Sequence, residues 1–169
     1  SLNTVLIFDI ENEVWSQGAN LPFSISEVNA ALVGEKIYVP GGRIEDNLYS
    51  DKLLVYDPRD DVWVTKADLP MAISAYAMTI YEGKIYLFGG WDGKKYLDEV
   101  LVYDPGLDDW QPFGQLPEER GFSSAEVVGG VIHLLGGINS KHVLQNHDLF
   151  YPQRQLEKDI AWEVASDLP

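Results

Sequence analysis

Short runs of apolar or alternating residues recur along the chain, separated by turns rich in Gly, Asp and Pro. In the middle of the chain, residues 75–80 alternate small and larger side chains, and residues 84–88 follow after the two-residue turn Glu82-Gly83. Residues 99–103 are almost all apolar, as expected of a strand buried on both faces. Residues 110–116 end just before a proline. Because short runs bounded by Gly and Pro are typical of strands, the pattern predicts a four-stranded antiparallel sheet.

The same unit is repeated about three and a half times. Gly-Gly pairs recur at steps of 48 and 47 residues, and in each unit a Leu-Pro pair follows six residues after a Trp. A period near 47 with strand-like content is typical of β-propellers, whose four-stranded blades pack face to face around an axis. The Trp side chains are expected to fill the wedges between blades. The Gly pairs are at 41–42, 89–90 and 136–137, and the Trp residues are Trp15, Trp63, Trp110 and Trp162.

We expect residues 1–169 to form one propeller segment. Residues 1–22 match only the second half of a unit and predict an N-terminal half blade. Three complete four-stranded blades follow at residues 23–70, 71–117 and 118–169. Because propellers have about four to eight blades, the segment is expected to need missing blades of a larger propeller, or self-association, to complete a ring.

The sequence of the unit resembles a kelch repeat. Residues 83–93 read Gly-Lys-Ile-Tyr-Leu-Phe-Gly-Gly-Trp-Asp-Gly, and Val-Tyr-Asp-Pro at 102–105 and then Trp110 follow. The family pattern of apolar residues before a Gly pair, then a Tyr and then a Trp, fits all three complete units. The last unit departs from it with Phe-Tyr-Pro at 150–152, where Tyr-Asp-Pro is expected. The resemblance implies an all-β, kelch-type β-propeller fold.

Composition narrows the classes of partner and site. The formal net charge of −15 argues against nucleic acids and anionic membranes as partners; it either favours a basic partner or serves solubility. The chain has no Cys, which excludes disulfides, thiolate metal sites and Cys nucleophiles. No apolar run is long enough for a membrane helix. The compartment is undecided, with the cytoplasm slightly favoured.

The residues suggest no catalytic group, cofactor or metal site. The Gly pairs lack the following helix and the spacing of a phosphate-binding loop, so they are interpreted as backbone turns. His142 and His147 lie near Asp148, but no third metal ligand is fixed by spacing. The acidic pairs at 60–61 and 108–109 occupy equivalent turns, which predicts turn capping rather than calcium binding.

The resemblance allows two kinds of kelch-fold enzyme to be tested. Galactose-oxidase-like enzymes need a Cys joined to a Tyr, and this chain has no Cys. The iron-binding specifier proteins are expected to carry a Glu-x3-Asp-x3-His pattern, and this pattern does not occur here. A sialic-acid-mutarotase-like enzyme and a carbohydrate-binding propeller stay open as alternatives. The first expectation is a non-catalytic protein-interaction module.

The resemblance also implies where such a module binds. In substrate-binding kelch domains, one mouth is lined by the loop after each Gly pair and by the segment that leads into the innermost strand. Arg43, Trp91 and Arg120 are therefore expected to converge, and together they would suit an acidic or turn-forming peptide. The rival expectation is a basic partner selected by Asp46 and Asp92. The candidate binding residues are Arg43, Asn47, Ser74, Trp91, Asp92, Lys94, Arg120 and Asn139.

Three local departures from the repeat carry predictions of their own. Pro40 lies in a predicted strand without a backbone N–H, which predicts a bulge or an unpaired position. His133 replaces a Tyr of the second strand and is expected to pack in its place. The last turn, residues 152–160, is about five residues longer than its equivalents and is expected to project as a solvated loop.

Overall fold

Four antiparallel sheets follow one another along the chain in the computed structural model, which describes residues 2–156 and 161–167. The first sheet, the half blade, contains β1 (Val5–Asp9) and β2 (Val14–Gly18). The second blade contains β3 (Ala31–Val33), β4 (Lys36–Pro40), β5 (Leu53–Asp57) and β6 (Val62–Lys66). The third blade contains β7 (Ala77–Tyr81), β8 (Lys84–Phe88), β9 (Glu99–Asp104) and β10 (Asp109–Gln115). The fourth blade contains β11 (Ser124–Val128), β12 (Val131–Leu135), β13 (Asn146–Phe150) and β14 (Trp162–Asp167).

The strands of each complete blade are hydrogen-bonded in chain order, as in a meander. A 3₁₀ helix (Glu45–Asn47) follows β4, and one short helix, α1 (Pro152–Leu156), precedes β14. No helix among the described residues is both long and apolar enough to cross a membrane. The all-β propeller segment with a half blade and three four-stranded blades is thus confirmed.

The apolar third strands of the second and third blades form the centre of the core. In β9, the exposed fractions of Val100, Leu101, Val102 and Tyr103 lie between 0% and 6%, although neighbouring side chains point to opposite faces. One apolar cluster fills the space between the second and third blades, and another fills the space between the third and fourth. The prediction that this strand is buried on both faces is therefore confirmed for the second and third blades, because each of these two sheets packs between two neighbours.

The Gly pairs allow the blades to approach closely. Gly90 has a φ of 116°, and a Cβ at this position would lie 2.7 Å from the carbonyl oxygen of Ser74. The N–H of Gly90 donates to the carbonyl of Arg120 in the next blade at 2.7 Å. Gly42 repeats this bond, donating to the carbonyl of Ile73 at 2.7 Å. A side chain at either glycine would separate main chains that are now hydrogen-bonded.

A repeated set of three side chains joins each of two blades to the one before it. The hydroxyl of Tyr103 donates to Asp108 at 2.7 Å. Asp108 accepts the backbone N–H of Ala67 at 2.9 Å, and Trp110 Nε1 donates to the carbonyl of the same Ala67 at 3.0 Å. We call this arrangement the inter-blade clamp. Its second copy consists of Tyr56, Asp61 and Trp63, which hold both main-chain groups of Ala19.

The clamp changes the interpretation of the acidic pairs. The prediction that the pairs at 60–61 and 108–109 cap their own turns is wrong for Asp61 and Asp108, whose carboxylates reach the preceding blade. The carboxylate that caps the turn is the Asp of the Tyr-Asp-Pro sequence, four residues earlier. Asp104 accepts the N–H of Gly106 at 2.9 Å, for example, and Asp57 accepts that of Arg59 at 3.1 Å.

The junction between the third and fourth blades uses aromatic rings instead. Phe150 stands where Tyr103 stands in the preceding blade and carries no hydroxyl group. Its ring centroid lies 4.7 Å from that of Trp162 and 5.7 Å from that of Phe88. Phe113 joins the same cluster at 6.1 Å from Phe150. A polar contact in one junction is thus replaced by packing in the next.

The repeated Trp residues fill wedges only where a blade precedes them. Trp110 is 9% exposed within the cluster between the second and third blades. Trp63 is half-buried, and Trp15 in the half blade is 67% exposed. The prediction that the Trp ring is buried between two blades is confirmed for Trp110 and holds only in part for Trp63.

Pro40 has one unpaired side, which is one of the two predicted alternatives. It pairs with Leu53 of β5 without a register shift, so there is no bulge, and β3 begins at Ala31 and does not reach a position opposite Pro40. The prediction for the last turn needs correction. The start of the last turn forms α1 and does not project freely. Gln153 Nε2 donates to Tyr81 and Glu82 of the third blade at 3.2 Å. Residues 157–160 of that turn lie outside the described residues.

Candidate recognition face

Two classes of segment meet at one end of every complete blade. The N–H of Arg43 donates to Ser26, that of Trp91 donates to Ser74 and that of Ile138 donates to Gly121, at 2.8, 2.8 and 2.9 Å. Each bond joins the loop after a Gly pair to the segment that leads into the innermost strand. We call the surface formed by these loops and segments the recognition face. It comprises residues 25–27, 43–49, 73–75, 91–96, 120–122 and 138–143.

A row of strained residues crosses the blades on this face. Glu27, Ala75 and Phe122 occupy equivalent positions and have φ values of 57°, 53° and 55°. The N–H of Ala75 donates to the carbonyl of Glu27 at 2.9 Å, and the N–H of Phe122 donates to that of Ala75 at 2.7 Å. Non-glycine residues rarely adopt this conformation, and such strain concentrates at binding and switch sites. Sequence reasoning missed Glu27 and Phe122, because neither is a glycine at a turn.

Arg43, Glu27 and Ser74 form a polar bridge between the second and third blades. One carboxylate oxygen of Glu27 accepts from Arg43 Nη1 at 3.2 Å, and the other accepts from the hydroxyl of Ser74 at 3.0 Å. Arg43 Nη2 also donates to Asn47 Oδ1 at 2.5 Å. The Arg43 side chain is 41% exposed, whereas Ser74 is fully buried. The bridge therefore fixes the guanidinium while leaving part of it open to solvent.

Aromatic side chains border the polar bridge. Trp91 Nε1 donates to the hydroxyl of Tyr49 at 3.2 Å, which links two neighbouring loops. The rings of Trp91 and Tyr96 lie 4.9 Å apart at an angle of 61°. Trp91 and both Tyr residues are half-buried, whereas Phe122 is 57% exposed. Phe122, Leu48 and Val143 are the large apolar side chains that this face exposes to solvent.

Comparison with known proteins identifies the family. The sequence model described as "KLHDC2/KLHL20/DRC7 Kelch-repeats domain" matches residues 1–157. This chain belongs to the kelch-repeat family. Among solved structures, 172 chains match. One, titled "Structure of YjhT", is 16% identical with a TM-score of 0.81, and the match covers 97% of this chain and 58% of that one. The comparison with curated proteins finds no match.

Asp92, Lys94 and Asn139 shape the kelch loops. Asp92 Oδ1 accepts the N–H of Lys94 at 2.7 Å and that of Lys95 at 2.8 Å. Partial burial acts to raise the pKa of Asp92, but the N–H groups of Lys95 and Lys94 bring it below its usual value. Asn139 Oδ1 accepts the N–H groups of Lys141 and His142 in the same way, at 2.9 and 3.0 Å. Of the three candidate binding residues in these loops, Lys94 has an exposed side chain, whereas Asp92 and Asn139 are half-buried.

Arg120 does not present its guanidinium at the recognition face, contrary to the sequence-based expectation. The residue is fully buried, and Nη2 donates to Asp148 at 2.6 Å. Its position is equivalent to Ile73 in the third blade, and that of Asp148 is equivalent to Leu101. Two core positions have thus become an internal ion pair. A comparison of equivalent positions would have revealed this, because both apolar residues are replaced by opposite charges.

The histidines near Asp148 do not form a common site. His147 Nε2 lies 2.9 Å from Nδ1 of His133, whereas His142 is exposed on its loop. The carboxylate of Asp148 is bound to Arg120. Within residues 2–156 and 161–167, no group of three or more His, Asp or Glu side chains is placed to hold a metal ion.

Proposed function

We propose that this kelch chain is a non-catalytic protein-interaction module whose recognition face binds an acidic peptide segment. The observation that carries the proposal is the bridge from Arg43 through Glu27 to Ser74. It holds one partly exposed guanidinium in a fixed orientation between two blades. A side chain fixed before binding loses less conformational entropy when it meets a ligand, which favours recognition.

The remaining hydrogen-bonding capacity of Arg43 supports an acidic ligand. A guanidinium has five N–H donors, and Glu27 and Asn47 each accept one of them. The other donors can form a charge-assisted contact with a carboxylate of the partner without breaking the bridge. The net charge of −15 opposes this at long range, so association should become faster as salt screens the repulsion.

The exposed ring of Phe122 supports a protein ligand. Aromatic and Arg side chains dominate the binding energy of many protein interfaces, especially where an apolar group lies beside a fixed polar one. Phe122 comes directly after Gly121, which pairs with Ile138 in the loop of the same blade. The N–H of Phe122 donates to the carbonyl of Ala75 in the third blade. The partner segment would thus place a carboxylate on Arg43 and an apolar side chain against Phe122.

The test compares Arg43→Glu with Arg59→Glu on an array of acidic peptides and of the same peptides with Lys in place of Asp and Glu. Arg59 is a matched control because it is exposed and paired with Glu35 on a hairpin turn at the opposite end of the strands. We expect Arg43→Glu to weaken binding to acidic peptides by at least about tenfold and Arg59→Glu to change it less than about twofold. Unchanged binding by a folded Arg43→Glu variant, or a preference for Lys-containing peptides, would refute the proposal.

The second candidate function is a sugar-active or carbohydrate-binding propeller. The same Arg43–Glu27 pair, with Trp91 linked to the Arg43 loop through Tyr49, also suits an anionic sugar, because an aromatic face and a guanidinium are both offered. The probe is free sialic acid, followed by NMR for binding and for exchange between its anomers. Accelerated exchange by the native chain, lost in Arg43→Glu, would replace the first proposal with the second.

A further inference from the structure

A small polar cavity lies at the other end of the strands, away from the recognition face. It has a volume of 170 Å³ and lies on the side of the third blade that faces the fourth. Glu82 in the turn between β7 and β8 and Asp104 at the end of β9 belong to its lining. The recognition face is formed by loops that follow the opposite end of β8. The cavity is therefore a separate site on the same blade.

The lining is acidic at its edge and aromatic at its base. Three carboxylates, those of Glu82, Asp104 and Asp109, face one ammonium group, that of Lys84. Lys84 lies 2.9 Å from Asp104 and compensates for that charge. Among residues 2–156 and 161–167, the one side-chain donor to Asp109 is Gln111, at a long 3.3 Å, so this carboxylate keeps most of its capacity for a cation. The cavity thus has an excess of negative charge.

Tyr86 supplies a second, independent observation. The residue is 4% exposed and lines the cavity, yet its hydroxyl has no hydrogen-bond partner among the described residues. Burial, with Glu82 and Tyr81 nearby, raises the pKa of Tyr86 to about 12, so the group stays neutral at physiological pH. Because the hydroxyl opens into the cavity and is not engaged by the described part of the protein, it is available to accept a hydrogen bond from a group bound there.

The equivalent position in the second blade differs. Tyr38 occupies the same place in its repeat, is 7% exposed and likewise has no hydrogen-bond partner for its hydroxyl among the described residues, but its ring packs 5.9 Å from that of Tyr103 in the next blade. Tyr86 instead meets Phe113 of its own blade, edge to face, at 5.5 Å. Phe113 stands where the second blade has Lys66. The exchange of a charged residue for a ring gives the cavity an apolar wall beside its carboxylates.

We propose that this cavity binds the guanidinium group of an arginine side chain presented by a protein partner. Ligand pockets for whole small molecules usually measure about 300–1,000 Å³, so a volume of 170 Å³ suits a single side chain. A planar guanidinium can lie against the rings of Tyr86 and Phe113 while donating to Asp109 and to the Tyr86 hydroxyl. An ammonium group lacks the planar face and the second donor direction, so lysine fits less well.

The experiment titrates the whole chain with the N-acetylated amides of arginine, lysine and citrulline and follows backbone NMR shifts. Citrulline keeps the shape of arginine without its charge. We expect the arginine probe to shift signals of β8–β10 and to bind about tenfold more tightly than citrulline, and more tightly than lysine. Asp109→Asn should weaken arginine binding by about three- to fivefold, and Tyr86→Phe by about threefold.

Matched controls separate these effects from changes in fold or in total charge. Tyr38→Phe removes the hydroxyl at the equivalent position of the second blade, and Asp60→Asn removes an exposed carboxylate from the equivalent turn. Both should bind the arginine probe as the native chain does, and so should Arg43→Glu on the recognition face. Equal binding of citrulline, tighter binding of lysine, absence of shifts at about 20 mM arginine probe, or native affinity in both Asp109→Asn and Tyr86→Phe would overturn the proposal.

Discussion

Arg120 and Asp148 of the fourth blade can be replaced by the apolar residues at the equivalent positions of the third blade. This exchange tests whether equivalent positions of the repeat have interchangeable packing. The variants are Arg120→Ile, Asp148→Leu and the combination of both, since Ile73 and Leu101 occupy the equivalent positions. Arg120 is fully buried and Asp148 is 1% exposed. Each single variant leaves one charge in the interior without its partner, whereas the double variant reproduces a packing that the third blade already uses.

The structure sets the order of the effects. Loss of one member of a buried ion pair destabilises a protein by about 3–5 kcal/mol. Glu118 lies 4.0 Å from Arg120 and still offers it a carboxylate when Asp148 is absent, so Asp148→Leu should fall at the lower end of that range. Asp148 has no such substitute in Arg120→Ile, which should fall at the upper end. The double variant should lie within about 1 kcal/mol of the native chain or be more stable, because apolar replacements of buried ion pairs are often neutral or stabilising.

The assay is urea unfolding at pH 7, followed by far-UV circular dichroism, with a double-mutant cycle over the four proteins. Unchanged m-values are required, so that differences in midpoint report stability. The expected coupling free energy between the two sites is at least about 3 kcal/mol. Single variants that each lose less than about 1 kcal/mol, or a double variant as unstable as the sum of both, would refute the reasoning.

Three further predictions concern the junctions between blades. Trp110→Ala should cost about 3–5 kcal/mol in urea unfolding, and Trp15→Ala, which removes a side chain that is 67% exposed, less than about 1 kcal/mol; equal losses would contradict the wedge. Gly90→Ala should lose at least about 2 kcal/mol more than Gly83→Ala, because both have positive φ but only Gly90 would place a Cβ 2.7 Å from a backbone oxygen. The N–H of Ala67, and then the hydroxyl of Tyr103, lower the pKa of Asp108 in the folded state, so its contribution is present above about pH 4 and is lost as the pH falls through the folded-state value. The difference in thermal midpoint between the native chain and Asp108→Asn should therefore shrink below pH 4, and a difference independent of pH would exclude this linkage.

The sequence predicts the blades well because their determinants are local and repeated. Alternation, the two-residue turn at Glu82-Gly83 and the positions of the Gly pairs each follow from one residue type at one place. Asp61 and Asp108 were misassigned because the carboxylate that binds the preceding blade and the one that caps the turn lie four residues apart and have the same chemistry. Only the path of the neighbouring blade distinguishes them.

The candidate site is less predictable for a related reason. Arg43, Ser74 and Trp91 were placed on loops by their phase in the repeat, and the structure brings these loops and segments together. Glu27, which connects Arg43 to Ser74, carries no signal in a single sequence, because a Glu in a polar segment is usually solvated. The expectation for Arg120 is wrong because the resemblance assigns its segment to the mouth of the propeller, whereas the side chain at this position lies in the core.

The inter-blade clamp has a consequence for how such chains change in length. All three of its side chains belong to one blade, and the preceding blade contributes only the main-chain N–H and carbonyl of an alanine. The preceding blade therefore needs no particular side chain at this joint, and the second and third blades each carry the complete set of side chains that attaches them to the sheet before them. A tandem copy of one blade would dock without matching mutations elsewhere. Growth by units that carry the clamp requires only duplication, and later divergence of one blade, such as the replacement of the clamp by ring packing in the fourth, leaves the other junctions intact.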